Sequence, residues 1–148
     1  MTEYKIIDIN ETNLSEYGLF CHKSKKKEAG YQNKLRWITE RFKEGLKYKH
    51  LWVKERGKFR SKGFIEYIPG EYAWRGINAP GYLVIHCIWV IGKTRGYGFG
   101  SILLEECLKD AKNTYGVAVV TAKTHWLPKE RLFSKNGFEK VDEYPPSF

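Results

Sequence analysis

The sequence is poor in cysteine and in long apolar runs, and each shortage excludes a class of protein. Three cysteines among 148 residues are an odd and sparse set, which argues against a disulfide framework and fits a reducing compartment. No apolar stretch approaches the roughly 20 residues that a membrane span needs. Residues 1–5 lack the basic and apolar segments of a secretory signal. The sequence therefore predicts a cytoplasmic protein with no membrane partner.

Cysteine and histidine adjoin at two places, Cys21-His22 and His86-Cys87. Their spacing matches no common zinc pattern, in which pairs of ligands recur at short fixed intervals. The sequence therefore predicts free cysteines and no metal site.

Acidic side chains are scarce relative to basic ones, with 17 against 26 and a net charge of +9. Residues 1–62 carry +8 of this excess, and residues 63–148 carry +1. Such a surface favours anionic partners, whether nucleic acid, phosphate-bearing cofactors or acidic substrates. One function hypothesis is a nucleic-acid-associated basic protein, motivated by the lysine-rich residues 23–27, with binding that weakens steeply with salt. The alternative is that lysine serves solubility alone.

No repeat or low-complexity linker interrupts the chain, so one domain is predicted over residues 1–148. Periodicity and turn residues predict strands at Tyr4–Ile9 and at residues 51–53, 63–68, 82–90, 116–121 and 138–141. Helices are predicted at residues 14–20, 31–48 and 101–112, and a short one begins at residue 128. The expected cap and turn residues are Asn13, Gly57 and Gly137. This order predicts an α/β or α+β fold with a mixed sheet.

The most informative stretch is residues 95–101, Arg-Gly-Tyr-Gly-Phe-Gly-Ser, between an apolar strand and an amphipathic helix. Three alternate glycines let the backbone turn tightly and leave N–H groups uncovered, beside the positive end of the next helix. Phosphate or pyrophosphate is the natural ligand of such a turn. The spacing is neither that of a P-loop nor that of a dinucleotide fingerprint. A turn with no ligand is the alternative.

With these residues the chain resembles the GNAT superfamily of acetyl-CoA-dependent N-acetyltransferases. Arg95, Gly98 and Gly100 match its signature of Arg or Gln, two residues, Gly, one residue, and Gly or Ala. Residues 132–138 are similar to its later Leu-Tyr-x-Lys-x-Gly-Phe segment. More loosely, residues 63–72 and 85–90 resemble the acetyltransferase part of YoaP-type GNAT proteins. The resemblance implies a mixed, mostly antiparallel sheet with a central splayed parallel pair, flanked by helices.

The resemblance also implies that acetyl-CoA is the acyl donor and that the glycine turn holds its pyrophosphate. The pantetheine arm would pair with the strand before the turn. The thioester would lie in the gap before the next strand, where a backbone N–H near Ile88 would stabilise an oxyanion. The implied cofactor-binding residues are Ile88, Trp89, Val90, Arg95, Gly96, Tyr97, Gly98, Phe99, Gly100 and Ser101.

Direct transfer of an acetyl group to an amine needs a general base, and two residues are candidates. His86 lies on the apolar strand, and the unperturbed pKa of histidine suits the task. Glu66 lies amid apolar residues of the preceding strand, where burial would raise its pKa. For each of them, a purely structural role is the alternative.

Two features depart from the family pattern. Phe133 stands where the family often has a tyrosine that protonates the leaving thiolate, which leaves open a non-catalytic module that binds acetyl-CoA. The chain stops soon after residues 138–141, so the usual final strand is short, absent or supplied by a partner chain in a homodimer. The acceptor is predicted only as a small-molecule, peptide or RNA-linked amine, with Tyr72, Trp74 and Arg75 as candidate lining residues.

Overall fold

The computed structural model describes residues 2–20, 28–92, 98–123 and 127–143, which form a five-stranded sheet with helices on both faces. The strands, in spatial and chain order, are β1 (Tyr4–Ile9), β2 (Lys47–Glu55), β3 (Lys58–Pro69), β4 (Leu83–Val90) and β5 (Val117–Val119). The helices are α1 (Leu14–Tyr17), α2 (Ala29–Phe42), α3 (Phe99–Asp110) and α4 (Glu130–Ser134), and Gly70–Tyr72 is a short 3-10 turn. β1 to β4 pair antiparallel, whereas β4 and β5 pair parallel. The mixed, mostly antiparallel sheet with one parallel pair is thus confirmed.

Alternation along the strands divides the apolar core into two clusters, one on each face of the sheet. On one face, Ile65 and Ile85 belong to the same cluster as Leu103 of α3. On the other face, Phe64 belongs to the same cluster as Ile38 of α2. Adjacent residues of β3 therefore point to opposite faces, as expected for a strand that is covered on both sides.

The helix predicted for residues 31–48 is wrong at its C-terminal end, because α2 stops at Phe42. Gly45 takes a φ of +98°, which no helical residue adopts, and the chain enters β2 two residues later. Tyr48 accordingly lies in a strand, where it is fully buried and its ring stacks on that of Phe64 with centroids 4.9 Å apart.

The other helices also differ in detail from the sequence-based expectations. Asn13 precedes α1 but does not cap it, since its side chain bonds the N–H of Asn10 at 2.8 Å and the carbonyl of Asp8 at 2.9 Å. The apolar stripe of α3 includes the fully buried Leu103, whereas Leu108 is 36% exposed.

The C-terminal part of the described chain contains one correct and one wrong prediction. Bonds from Phe138 N–H to Phe133 O (3.0 Å) and from Gly137 N–H to Ser134 O (3.2 Å) end α4 with Gly137 at the predicted C′ position. The strand predicted for residues 138–141 is absent, because residues 138–143 are not in a strand. The amide of Phe138 serves the helix cap, and Val141 is 93% exposed. β5 is therefore an edge strand in the described sheet.

Within these same stretches of the chain, no helix is long and apolar enough to cross a membrane. The described residues also hold no group of three His, Cys, Asp or Glu side chains that could bind a metal. Cys107 is a free thiol. Cys21, His22 and the lysine-rich residues 23–27 lie outside the described residues.

Candidate active site

β4 contains a β-bulge at His86. In the register of β3 and β4, Glu66 lies opposite Cys87 and Tyr67 opposite Ile85, so His86 is an extra residue with no partner of its own. A bulge bends a strand and re-aims its side chains. Here the imidazole of His86 contacts the carboxylate of Glu66, and Cys87 packs in the core on the α2 side. The bulge therefore turns two consecutive side chains towards α2.

Three ionisable side chains meet between the sheet and α2: Lys34, Glu66 and His86, hereafter the dyad cluster. His86 Nδ1 lies 3.3 Å from Glu66 Oε2, and Lys34 Nζ lies 2.9 Å from Glu66 Oε1. His86 is 3% exposed and Glu66 is 4% exposed. The structure thus brings together the two residues that the sequence offered as alternative bases, and it adds a lysine.

The contact with Glu66 determines which nitrogen of His86 carries the hydrogen. An ionised carboxylate only accepts hydrogen bonds, so Nδ1 must donate. In the neutral imidazole the lone pair then lies on Nε2. His86 Nε2 is buried and has no hydrogen-bond partner in the part of the chain that the structure describes. An imidazole held in this tautomer presents a basic nitrogen that no other protein group occupies.

Glu66 is ionised in this setting, which corrects the expectation that burial would raise its pKa. Burial alone does raise the pKa of the carboxyl, but the hydrogen bond with His86 and the charge of Lys34 lower it by more. The net result is a pKa below the ordinary value. Glu66 is therefore suited to orient His86 and unsuited to take a proton itself.

Consecutive residues of the loop between β3 and β4 cover the histidine. The Trp74 ring meets the His86 ring edge to face, with centroids 5.5 Å apart, and meets Trp37 of α2 at 4.9 Å. Arg75 Nη2 donates to the main-chain oxygen of His86 at 2.9 Å. Trp74 is 64% exposed, so one side of its ring faces solvent at the entrance to the dyad cluster. Tyr72, the other candidate lining residue, is exposed as well.

β4 and β5 part beside the dyad cluster. Their parallel pairing ends at Ile85 and Val119, whereas β4 continues to Val90. The N–H of Ile91 bonds Lys62 of β3 at 2.9 Å. Because hydrogen bonds of an antiparallel pair alternate along the strand, the N–H of Ile88 points away from β3, towards this opening. The gap and the amide that the resemblance implied are thus both present in the geometry.

The glycine turn after β4 is described only from Gly98 onward; Arg95, Gly96 and Tyr97 lie outside the described residues. Gly98 takes a left-handed conformation with φ of +77°, and no side chain caps α3. A Cβ at Gly98 would meet no atom of the described residues within 4 Å, so these residues leave the space before the helix open. The first helical hydrogen bond of α3 runs from Ile102 N–H to Gly98 O (3.0 Å). The N–H groups of Gly100 and Ser101 precede it and therefore have no partner within the helix. These features fit an anionic group at the start of α3.

The remaining predicted cofactor residues lie on both sides of the opening. Ile88 is buried and Val90 partly buried in the core on the α3 side, whereas Trp89 is 51% exposed. Phe133 is buried in the same core with its ring 5.3 Å from that of Phe138, which is a packing role.

Sequence reasoning missed Lys34 and Trp37. A signal for Lys34 was present, because it lies three residues after the buried Tyr31 and four before the buried Ile38. A lysine on the apolar stripe of a helix needs a buried acidic partner. Trp37 follows one turn after Lys34, whose Nζ lies 4.3 Å from its ring centroid. Nothing local distinguished this tryptophan from a core residue.

Comparison with known proteins assigns the family. The family model described as Acetyltransferase (GNAT) family matches residues 12–138. An uncharacterized N-acetyltransferase of Bacillus subtilis (strain 168), YoaP, is 34% identical over 147 residues, which are 96% of this chain and 56% of that protein. The chain therefore spans about half the length of this relative.

Solved structures share the fold at low identity. The aminoglycoside N-acetyltransferase AAC(6')-Iy in complex with CoA has a TM-score of 0.66 at 17% identity, over 100% of this chain and 95% of that one. An acetyltransferase of Trypanosoma brucei has a TM-score of 0.65 at 18% identity, over 99% of each chain. A predicted acetyltransferase of Clostridium acetobutylicum, crystallised with acetyl-CoA, has a TM-score of 0.59 at 16% identity, over 100% and 96%. The chain belongs to the acetyltransferase (GNAT) family.

Proposed function

We propose that this GNAT acetyltransferase transfers the acetyl group of acetyl-CoA directly to an amine, with His86 as the general base. The observation that carries the proposal is the state of His86 Nε2, which is buried and has no partner in the described part of the chain, while Glu66 contacts Nδ1. This nitrogen lies on the first residue of β4 beyond its pairing with β5. A basic atom at the opening of the sheet is where an attacking amine has to lose its proton.

Acetyl-CoA supplies a thioester carbonyl that is already activated towards amines. In the proposal it is held by the backbone of Ile88, Trp89 and Val90 and by the turn at residues 95–101. The open space at Gly98 and the uncapped start of α3 support the phosphate end of this site. The N–H of Ile88 supports the other end, since it points to the side of β4 that β5 leaves open.

An amine is protonated near neutral pH and attacks only as the free base. His86 Nε2 accepts that proton, and Glu66 keeps the imidazole oriented and stabilises its charged form. Lys34 neutralises the remaining oxygen of Glu66, so the buried carboxylate is paired on both sides. Burial of the dyad cluster excludes water from the base until an acceptor arrives.

The finer parts of the function are proposals too. We take residues 1–148 as one acetyltransferase domain in the cytoplasm, and the acceptor as a small-molecule, peptide or RNA-linked amine. One structural neighbour is an aminoglycoside N-acetyltransferase, so aminoglycosides belong in any acceptor panel. A homodimer and an association with nucleic acid stay predictions, the latter because residues 23–27 lie outside the described residues.

The proposal is tested by cofactor binding and by turnover. Acetyl-CoA at about 100 times its dissociation constant should stabilise the protein by about 2.7 kcal/mol, seen as a rise in Tm. Release of the CoA thiol should then follow addition of an amine panel that includes polyamines, aminoglycosides, amino acids and peptides. Absence of a Tm rise at millimolar acetyl-CoA, together with no thiol release, would sink the proposal.

Gly98 offers a matched pair of variants for the phosphate end. Gly98→Ala and Gly98→Glu carry the same backbone strain, because both place a side chain at a φ of +77°. Only the glutamate adds a negative charge at the start of α3. We expect acetyl-CoA to raise the Tm of Gly98→Ala and to leave that of Gly98→Glu unchanged. An equal rise in both variants would place the cofactor phosphates elsewhere.

A further inference from the structure

Arg75 carries a positive charge that no acidic group of the described residues balances. Its guanidinium donates one bond, to the main-chain oxygen of His86 at 2.9 Å, and the side chain is exposed. Among the ion pairs of the described residues, none includes Arg75. A guanidinium has five N–H donors in a planar fork that matches a carboxylate or a phosphate. Most of this binding capacity points outward at the entrance to the dyad cluster.

The bulge explains why the guanidinium lies at this place. His86 has no partner across the strands, so its carbonyl is available to a side chain. Arg75 takes that carbonyl while the preceding residue, Trp74, packs on the imidazole of the same histidine. Two consecutive loop residues thus contact the proposed base, Arg75 at its main chain and Trp74 at its side chain. A ligand that reaches His86 Nε2 has to pass beside both of them.

The charge balance around His86 selects for an anionic ligand. Lys34 is paired with Glu66 at 2.9 Å, so the dyad cluster contributes little net field at the entrance. The charge of Arg75 is left over, because none of the ion pairs of the described residues includes it. Trp74 is 64% exposed and supplies a flat apolar surface next to this charge. An anionic group and an apolar body side by side would satisfy both residues.

We propose that the acceptor is an amine that also bears a carboxylate or phosphate group, and that Arg75 binds this group while the amine faces His86 Nε2. The apolar part of the acceptor lies on Trp74. This inference rests on the proposed function, because it names the substrate class of the same site. Arg75 is then the residue that distinguishes anionic from neutral acceptors.

Matched acceptors test the inference directly. The pairs are amino acids and their carboxamides, with phenylalanine and tryptophan among them, and phosphoethanolamine with ethanolamine. We expect kcat/KM for the anionic member to exceed that for its neutral partner by about 10- to 100-fold. The amino-acid pairs and the phosphate pair report separately on a carboxylate and on a phosphate as the group that is bound.

Variants of Arg75 separate recognition from a structural role. Arg75→Gln should lower kcat/KM for anionic acceptors far more than for neutral ones, and Arg75→Glu should reverse the preference. If Arg75 only stabilised the loop, Arg75→Gln would lower kcat/KM equally for both members of a pair and leave the ratio of the two values unchanged. Arg131→Gln, at an exposed position of α4, is the matched control and should keep the wild-type ratio.

Each outcome bears on the inference. Preference for the anionic members that is lost in Arg75→Gln supports it. The inference is overturned if kcat/KM is equal for both members of the pairs or higher for the neutral ones. It is also overturned if no anionic member is acetylated. Acetylation of neutral amines that depends on His86 would leave the proposed function standing while this inference fails, so the two failures are distinguishable.

Discussion

Glu66 and Tyr67 are neighbours on β3, yet they belong to polar clusters on opposite faces of the sheet. Glu66 lies in the dyad cluster on the α2 side. Tyr67 points to the α3 side, where its hydroxyl donates to Asp110 Oδ2 at 2.5 Å. Lys49 joins this second set, with its Nζ 3.0 Å from Asp8 and 3.7 Å from Asp110. These four residues, Asp8, Lys49, Tyr67 and Asp110, are called the Tyr67 cluster.

The clusters differ in how completely their polar atoms are paired. In the Tyr67 cluster the hydroxyl, the ammonium and the carboxylates all have partners, so the cluster ties α3 to β1, β2 and β3. In the dyad cluster one atom, His86 Nε2, is buried and has no partner among the described residues. A buried polar atom without a partner costs free energy, and use by a ligand or a reaction is one reason for which it is retained. The comparison separates a structural cluster from a candidate catalytic one.

The largest expected effect comes from the unpaired atom. His86→Gln removes the basic nitrogen and keeps a polar side chain of similar length, so kcat/KM should fall by about 100- to 10,000-fold. Acetyl-CoA affinity should change little, because the proposed cofactor contacts are made by backbone groups of other residues. Thiol release and isothermal titration calorimetry measure the two quantities.

His50 is the matched control for this variant. It is 1% exposed on β2, faces the α2 side, and its Nε2 lies 2.6 Å from Ser61 Oγ. His50→Gln should lower Tm and leave kcat/KM of the folded protein near the wild-type value. If His86→Gln and His50→Gln lower kcat/KM equally, the loss results from disturbed core packing, and His86 is not the base.

The next effect is on stability and belongs to the other cluster. Tyr67→Phe deletes the hydrogen bond to Asp110 and should reduce the free energy of unfolding by about 1–3 kcal/mol, the usual range for a bond to a charged group. Urea denaturation measures the change, and Tyr115→Phe, at a side chain that is 81% exposed, should show almost none. The rate of acetyl transfer should stay unchanged, since the sheet lies between Tyr67 and the acceptor side. A large loss of rate in Tyr67→Phe would break the distinction between the clusters.

The smallest effects are opposite pH dependences of stability. Glu66 has a lowered pKa in the fold, so its contribution is present above about pH 4.5 and is lost as pH falls through the folded value. Burial and the bond to Asp110 raise the pKa of Tyr67, so its contribution is present below about pH 10 and is lost as pH rises beyond that. Glu66→Gln should flatten the acid side of a plot of Tm against pH, and Tyr67→Phe the alkaline side. If Glu66→Gln flattened the alkaline side instead, and Tyr67→Phe the acid side, the result would contradict the pairing seen in the two clusters.

The order of the elements followed from sequence patterns, whereas several of their ends did not. Alternation located β1 at Tyr4–Ile9, as the structure has it. The end of α2 was misjudged because Leu46 continues the helical spacing of apolar residues, although the chain has already turned at Gly45. A strand at residues 138–141 was expected from composition, and the cap of α4 takes the amide of Phe138 instead. Periodicity reports which residues are buried, and backbone turns decide how they are connected.

The candidate site divides in the same way between local and distant information. The sequence by itself determined the family, the glycine turn at the start of α3, and two candidate bases, because each is a local pattern of residue types. Only the tertiary structure decided that the two candidates form one unit. Glu66 lies 20 residues from His86 and 32 from Lys34, and the bulge at His86 sets which side chains meet. Contacts over such separations depend on strand register and helix docking, which no local pattern encodes.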